Sequence, residues 1–179
     1  MPILYLVRHG RAAAGWDRDL DPGLDALGHE QARGLVQQLV PAELIVSPLA
    51  RTRETAAPLA AAWHVEPRIE PRVAEILSPV NELEQRGKWL REIATRTWPQ
   101  LDAPLQQWRG QVLAALAELD RDAVAVTHFI AINIAVGAAV GDERVVNFHP
   151  DHCSVTVLRS SGGRLELVRR GAEAATQVL

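Results

Sequence analysis

The chain has 179 residues, 47% of them hydrophobic and 23% charged, with a formal net charge of −3. That length can bury one sizeable core and predicts one domain over residues 1–179. The charge excludes a global basic surface of the kind that grips nucleic acid, and the single cysteine, Cys153, excludes an intramolecular disulfide and argues against a cysteine-based zinc site. A reducing, cytoplasmic setting is expected.

In chain order, the first nine residues hold a short apolar run stopped by Arg8, without the basic start and long apolar stretch of a signal peptide. Ile3 to Val7 is continuously apolar, as are Leu44 to Val46 and Ala123 to Val126, which is the pattern of strands covered on both faces of a parallel sheet. After the first run, Gly28, Ala32, Leu35, Val36 and Leu39 form one helical stripe, with Asp25 placed to cap it. Residues 78–104, bracketed by Pro79, Pro99 and Pro104, form a polar helical piece with Trp89, Leu90 and Ile93, expected as a lid or wall over a site. Leu105, Trp108, Val112, Ala115, Leu116 and Leu119 make a second stripe directly before the third apolar run.

The segment Ala123 to Val140 approaches the length of a membrane span, but Thr127, His128, Asn133 and Gly137 interrupt it. A buried strand followed by a buried helix is expected, and no membrane partner. Near the end, CSVTVLR and RLELVRR flank Ser160-Ser161-Gly162-Gly163, the pattern of a closing hairpin. Together these elements predict an α/β fold: a three-layer α/β/α sandwich with a mostly parallel sheet and a C-terminal antiparallel hairpin.

Open α/β sheets bind ligands at the carboxyl ends of their strands. Arg8-His9-Gly10 follows the first apolar run, Ser47-Pro48 and then Arg51 the second, and Thr127-His128 the third. The topology would bring two histidines and two arginines to one rim. The planar arginine fork holds two phosphoryl oxygens, and glycine at position 10 would let backbone approach an anion. Arginines beside His9 should lower its pKa and keep it unprotonated and nucleophilic. Glu75 is the candidate carboxylic acid for protonating the leaving oxygen.

The stretches LVRHG, LDALGHEQARGL, SPLARTRETA and VTHF resemble the histidine phosphatase, or phosphoglycerate mutase-like, superfamily, from residue 4 to about residue 133. The resemblance implies that His9 is the phosphorylated nucleophile, that Arg8 and Arg51 clamp the phosphate, and that His128 completes the pocket. It implies no metal and no organic cofactor; Arg53, in the same motif, is read as structural. Two departures stand out. Glu75 is followed by Ile-Leu-Ser-Pro where the family has a glycine- and tryptophan-rich stretch, so Glu82 and Glu84 remain alternatives for the acid. Phe129 follows His128 where the family often has glycine, which narrows the expected pocket.

Trp16 and Asp17 are candidates for the pocket entrance. His29, His64, His149 and His152 fall outside the motifs, and His149, Asp151 and His152 make a poor metal cluster because neighbouring loop residues rarely aim at one ion. Cys153 reads as a small buried hydrophobe opening a strand. The expected activity is hydrolysis of a phosphomonoester, the partner being a small phosphorylated metabolite or a phosphohistidine protein. The mutases of the family generally carry inserted segments for which this chain has no room; phosphoglycerate mutase-type transfer and a non-catalytic phosphate-binding module are the alternatives.

Overall fold

The structure is a computed structural model that describes residues 1–15 and 17–175. Its centre is built from the apolar runs. Ile3–Arg8 forms β1, Glu43–Val46 forms β2 and Ala123–Thr127 forms β4, while Arg68–Ile69 is a short edge strand, β3. Val155–Ser161 and Arg164–Arg169, β5 and β6, complete a six-stranded sheet in the order β3-β2-β4-β1-β5-β6. The first four strands in that order pair in parallel, whereas β5 joins β1, and β6 joins β5, antiparallel.

Helix Ala50–Trp63 (α2) and the turn that ends helix Ala26–Gly34 (α1), through Leu35 and Leu39, pack with Val7, Val46, Val124 and Val126 on one face of the sheet, and α1 lies against α2. Leu83–Ala94 (α3), Ala103–Ala117 (α4) and Phe129–Val140 (α5) serve the opposite face, where Leu4, Leu6, Ile45, Ala123 and Ala125 point. Alternation along each strand thus feeds two cores, one per layer, which is why the runs are apolar throughout rather than at every second residue. In α5 every residue from Phe129 to Gly137 is buried; the apolar stretch that approaches membrane length is a core strand and a core helix. Among the described residues no helix is long and apolar enough to cross a membrane.

Some boundaries differ from the sequence expectation. Asp25 caps α1 as expected, its side chain accepting from the Gly28 amide at 2.8 Å, but the helix tightens to a 3₁₀ turn over Leu35–Gln37 before the stripe ends at Leu39. The closing hairpin is tighter than the four-residue junction suggested. Both serines stay in β5, and only Gly162 and Gly163 turn, at φ 56° and 78°; two positive φ values in sequence suit the right-handed twist of the flanking strands. Cys153 is buried as expected but precedes β5 rather than opening it, at φ 54°.

Candidate active site

The ladder between the parallel strands continues one residue beyond their ends. The His9 amide donates to the Thr127 carbonyl and the Ser47 amide to the Val126 carbonyl, each at 3.1 Å. Continued past the strand ends, the register puts His9 level with His128, on the α2 side of the sheet, and Ser47 one residue earlier, level with Arg8 and Thr127. Arg8, one residue earlier, turns to the other side, where its guanidinium lies 5.1 Å from the centre of the Phe129 ring and donates to the Pro150 carbonyl at 2.8 Å. Arg51, in the first turn of α2, reaches back with Nε 3.2 Å from His9 Nε2.

The five candidates from the sequence, Arg8, His9, Arg51, Glu75 and His128, therefore meet in one place. Arg8, His9, Arg51 and Glu75 line a cavity of about 420 Å³, and the ring of His128 is 5.3 Å from that of His9. Glu75 arrives on the loop that follows β3 and a 3₁₀ turn. That loop is tied to β4 by Thr127 Oγ1, which donates to the Val73 carbonyl at 2.6 Å, and Glu75 Oε2 ends 3.8 Å from His128 Nδ1. Glu82 and Glu84, the alternatives, are exposed at the start of α3 and do not line the cavity. Leu90 of α3 does, so residues 78–104 supply a wall. Asp17 is exposed and does not line it; Trp16 lies outside the described residues.

The tautomer of His9 follows from its partners. Nδ1 sits 2.8 Å from the Gly10 carbonyl, which only accepts, so Nδ1 carries the proton and the Nε2 lone pair faces Arg51. Burial and then the charges of Arg51 and Arg8 push the His9 pKa well below the usual imidazole value. His128 is lowered for the same reasons, burial first and Arg51 next. Its Nε2 is held by Ser47 Oγ at 2.7 Å, while Nδ1 is buried without a hydrogen-bond partner. Burial raises the Glu75 carboxyl despite the nearby arginines. The result is a neutral imidazole, a carboxyl biased toward its protonated form and two buried cations, a set able to bind a phosphoryl dianion and exchange one proton with it.

Two sequence readings change. Gly10 is not free to cradle an anion: its amide donates to Thr55 Oγ1 at 2.9 Å, and a Cβ there would lie 2.6 Å from the Gly28 carbonyl. Its lack of a side chain serves the close approach of β1's end to α1. His152, which lies outside the sequence motifs, lines the cavity, its ring 6.0 Å from that of His9. The segment carrying it is fixed by the Cys153 amide donating to the Arg8 carbonyl at 2.9 Å and by the bond from Arg8 to Pro150. His149 instead packs on Phe129, so the histidines of that loop point apart, and among the described residues no group of three His, Cys, Asp or Glu side chains is placed to share a metal ion. Arg53 is exposed on α2 and lines a separate groove with Glu54, Glu66 and Ile69.

Burial holds the His152 pKa at about 4, so three histidines of the site are kept neutral. Each binds its proton more readily in the unfolded chain, near pH 6.5. Their contribution is present above that pH and is lost as pH falls through the window between 6.5 and the lowered folded value. The melting temperature is expected to drop by several degrees between about pH 7 and pH 5, and His152→Asn to shrink that drop. Thermal denaturation across that range checks it; an unchanged pH slope in the variant would count against His152 as a contributor.

The match with known proteins is consistent with this geometry. Residues 4–173 match the histidine phosphatase superfamily (branch 1). No curated protein matches the sequence. Among solved structures, mycobacterial hydrolase 1 is similar at 21% identity and a TM-score of 0.76, covering 97% of this chain and 100% of the other. A phosphoserine phosphatase from Entamoeba histolytica, in complex with 3-phosphoglyceric acid, gives 18% and 0.76 over 96% and 98%. A mycobacterial glucosyl-3-phosphoglycerate phosphatase, in complex with VO3, gives 20% and 0.71 over 97% and 100%. At these identities the likeness establishes a shared fold.

Proposed function

The chain belongs to the histidine phosphatase superfamily, and from that premise we propose that it hydrolyses phosphomonoesters through a phosphohistidine on His9, without a metal ion. The observation that carries this reading is the orientation of His9, with Nδ1 anchored to the Gly10 carbonyl and Nε2 turned toward Arg51. An imidazole so held needs no deprotonation before it attacks phosphorus. The similarity to structures described as phosphatases supports the same class of reaction.

In the first step Nε2 of His9 forms a bond to phosphorus as the ester oxygen leaves, taking the proton of the Glu75 carboxyl. Arg8, Arg51 and the unpartnered Nδ1–H of His128 hold the equatorial oxygens, where charge is stabilised by fixed donors already in place. In the second step water attacks the phosphohistidine, Glu75 carboxylate takes its proton, and inorganic phosphate leaves with His9 restored. Ser47 positions His128, and Thr55 positions the backbone after His9.

The test is a rapid acid-free quench of the protein during turnover of an aryl phosphate in the presence of a chelator, followed by peptide mass spectrometry. Phosphate on His9 and undiminished hydrolysis are expected. Hydrolysis that stops with chelator, or phosphate on another residue, defeats the proposal, and transfer to a second alcohol faster than to water would make the protein a mutase.

Arg8→Lys and Arg51→Lys are each expected to lower kcat/KM by about 10²–10³-fold, because a point charge cannot reproduce a two-pronged contact on a phosphoryl group. Steady-state kinetics on an aryl phosphate measure this; near-normal values for either variant would remove that arginine from the clamp.

A further inference from the structure

The cavity has two unlike halves. At the His9 end are Arg8, Arg51, Glu75 and His152; the rest is walled mainly by Ala14, Pro22 and Leu27 from the first loop and α1, and by Leu90, Phe129 and Ile130 from α3 and α5, with Gln31 the one amide side chain among the described lining residues. Beyond the phosphoryl end, Arg11 is the one cation among the described residues that line the cavity, and its Nε is already paired with Asp25 Oδ2 at 2.5 Å. The first loop, which gives Arg11, Ala14 and Pro22 to the lining, is net acidic in sequence, with Asp17, Asp19, Asp21 and Asp25 against Arg11 and Arg18. Leu20, beside Asp21, is 64% exposed, and Leu77, two residues past Glu75, is 77% exposed.

We propose that the site takes phosphomonoesters of uncharged, largely apolar alcohols and discriminates against esters whose alcohol carries a carboxylate. This deepens the phosphatase reading above and rests on it. A carboxylate in the outer half would give up water against alkyl and aromatic walls, with its nearest possible counter-ion engaged by Asp25 and a net acidic loop supplying part of the wall. An aryl or alkyl group there gains the burial that a carboxylate forfeits. A cavity of about 420 Å³ is of the size that encloses a small molecule.

Binding and turnover test this separately. Calorimetry on the intact protein compares benzylphosphonate with 3-phosphonopropanoate, two non-hydrolysable ligands that differ in the group offered to the outer half. The first is expected to bind at least about tenfold more tightly. Phosphate release compares benzyl phosphate with 3-phosphoglycerate, both esters of primary alcohols, and kcat/KM is expected to favour benzyl phosphate by a similar factor, carried mainly by KM. Leu90→Lys, or Leu27→Lys at a more exposed wall position, gives a carboxylate a counter-ion and should bring the binding ratio close to one.

Equal binding, or tighter binding of the carboxylated phosphonate, overturns the preference even where both esters are hydrolysed, and the phosphatase reading then stands alone. Tighter binding of benzylphosphonate with neither ester hydrolysed upholds the preference and removes the phosphatase reading.

Discussion

His9→Ala is expected to lower turnover by on the order of 10⁴–10⁶-fold, the scale seen when the nucleophile of a covalent mechanism is removed. Its neighbours cannot take over. His128 is fully buried and does not line the cavity, and its Nδ1 carries a proton if Ser47 donates to Nε2; the His152 ring is 6.0 Å from the ring it would have to replace. Arg8, Arg51 and Glu75 remain in the variant, so phosphate should still bind with only a modest change in affinity. Phosphate release and calorimetry together separate the two properties. Residual hydrolysis above about a hundredth of the parent rate would mean that water attacks phosphorus directly and that His9 serves as a base or an anchor.

Glu75→Gln is expected to slow formation of the phosphohistidine by about 10²–10⁴-fold with an alkyl phosphate and far less with a nitrophenyl phosphate, whose departing oxygen scarcely needs a proton. Because the same carboxylate serves the later hydrolysis, the comparison belongs to the burst of released alcohol, before the steady state. Equal losses with both esters in the burst would take the acid role from Glu75. Stability should move the other way. Burial raises the Glu75 pKa, so its folded form holds a proton more tightly than the unfolded chain does, and ionisation costs stability increasingly as pH rises above about 4.5. Glutamine carries no such cost. The variant is expected to melt higher than the parent at neutral pH while losing turnover, a trade between activity and stability found where a site is built from unfavourably buried groups.

The legible parts of this protein were those governed by short-range pattern. Three uninterrupted apolar runs marked β1, β2 and β4, since a strand covered on both faces has no polar side to show. The residues just beyond them could then be gathered on one rim by topology alone, and the structure does gather Arg8, His9, Arg51 and His128.

Glu75 stood in a loop with no period to place it. What brings it in is a single side chain, Thr127, reaching from the end of β4 to the Val73 carbonyl. His152 was hidden for a topological reason. An antiparallel neighbour begins where the parallel strands finish, so the residues just before β5 lie beside the end of β1. Looking only past the ends of apolar runs misses what precedes the one strand running the other way. β3 was missed because two exposed residues at a sheet edge carry no burial pattern. Gly10 was assigned the wrong partner because its constraint comes from Gly28, in a helix whose approach no local signal reveals.

Because Arg8 and His9 are successive residues at the end of a strand, they belong to opposite layers of the sandwich, one lying against Phe129 and the other against α2. The parity of β1 therefore decides which of the two meets which half of the pocket. Deleting or inserting one residue between Leu6 and Arg8 would put one of the two pairs on the wrong side: Arg8 and His9 exchange sides, or Leu4 and Leu6 leave their core. Substitutions along β1 that keep its length can be absorbed by repacking, whereas a frame slip of a single position cannot.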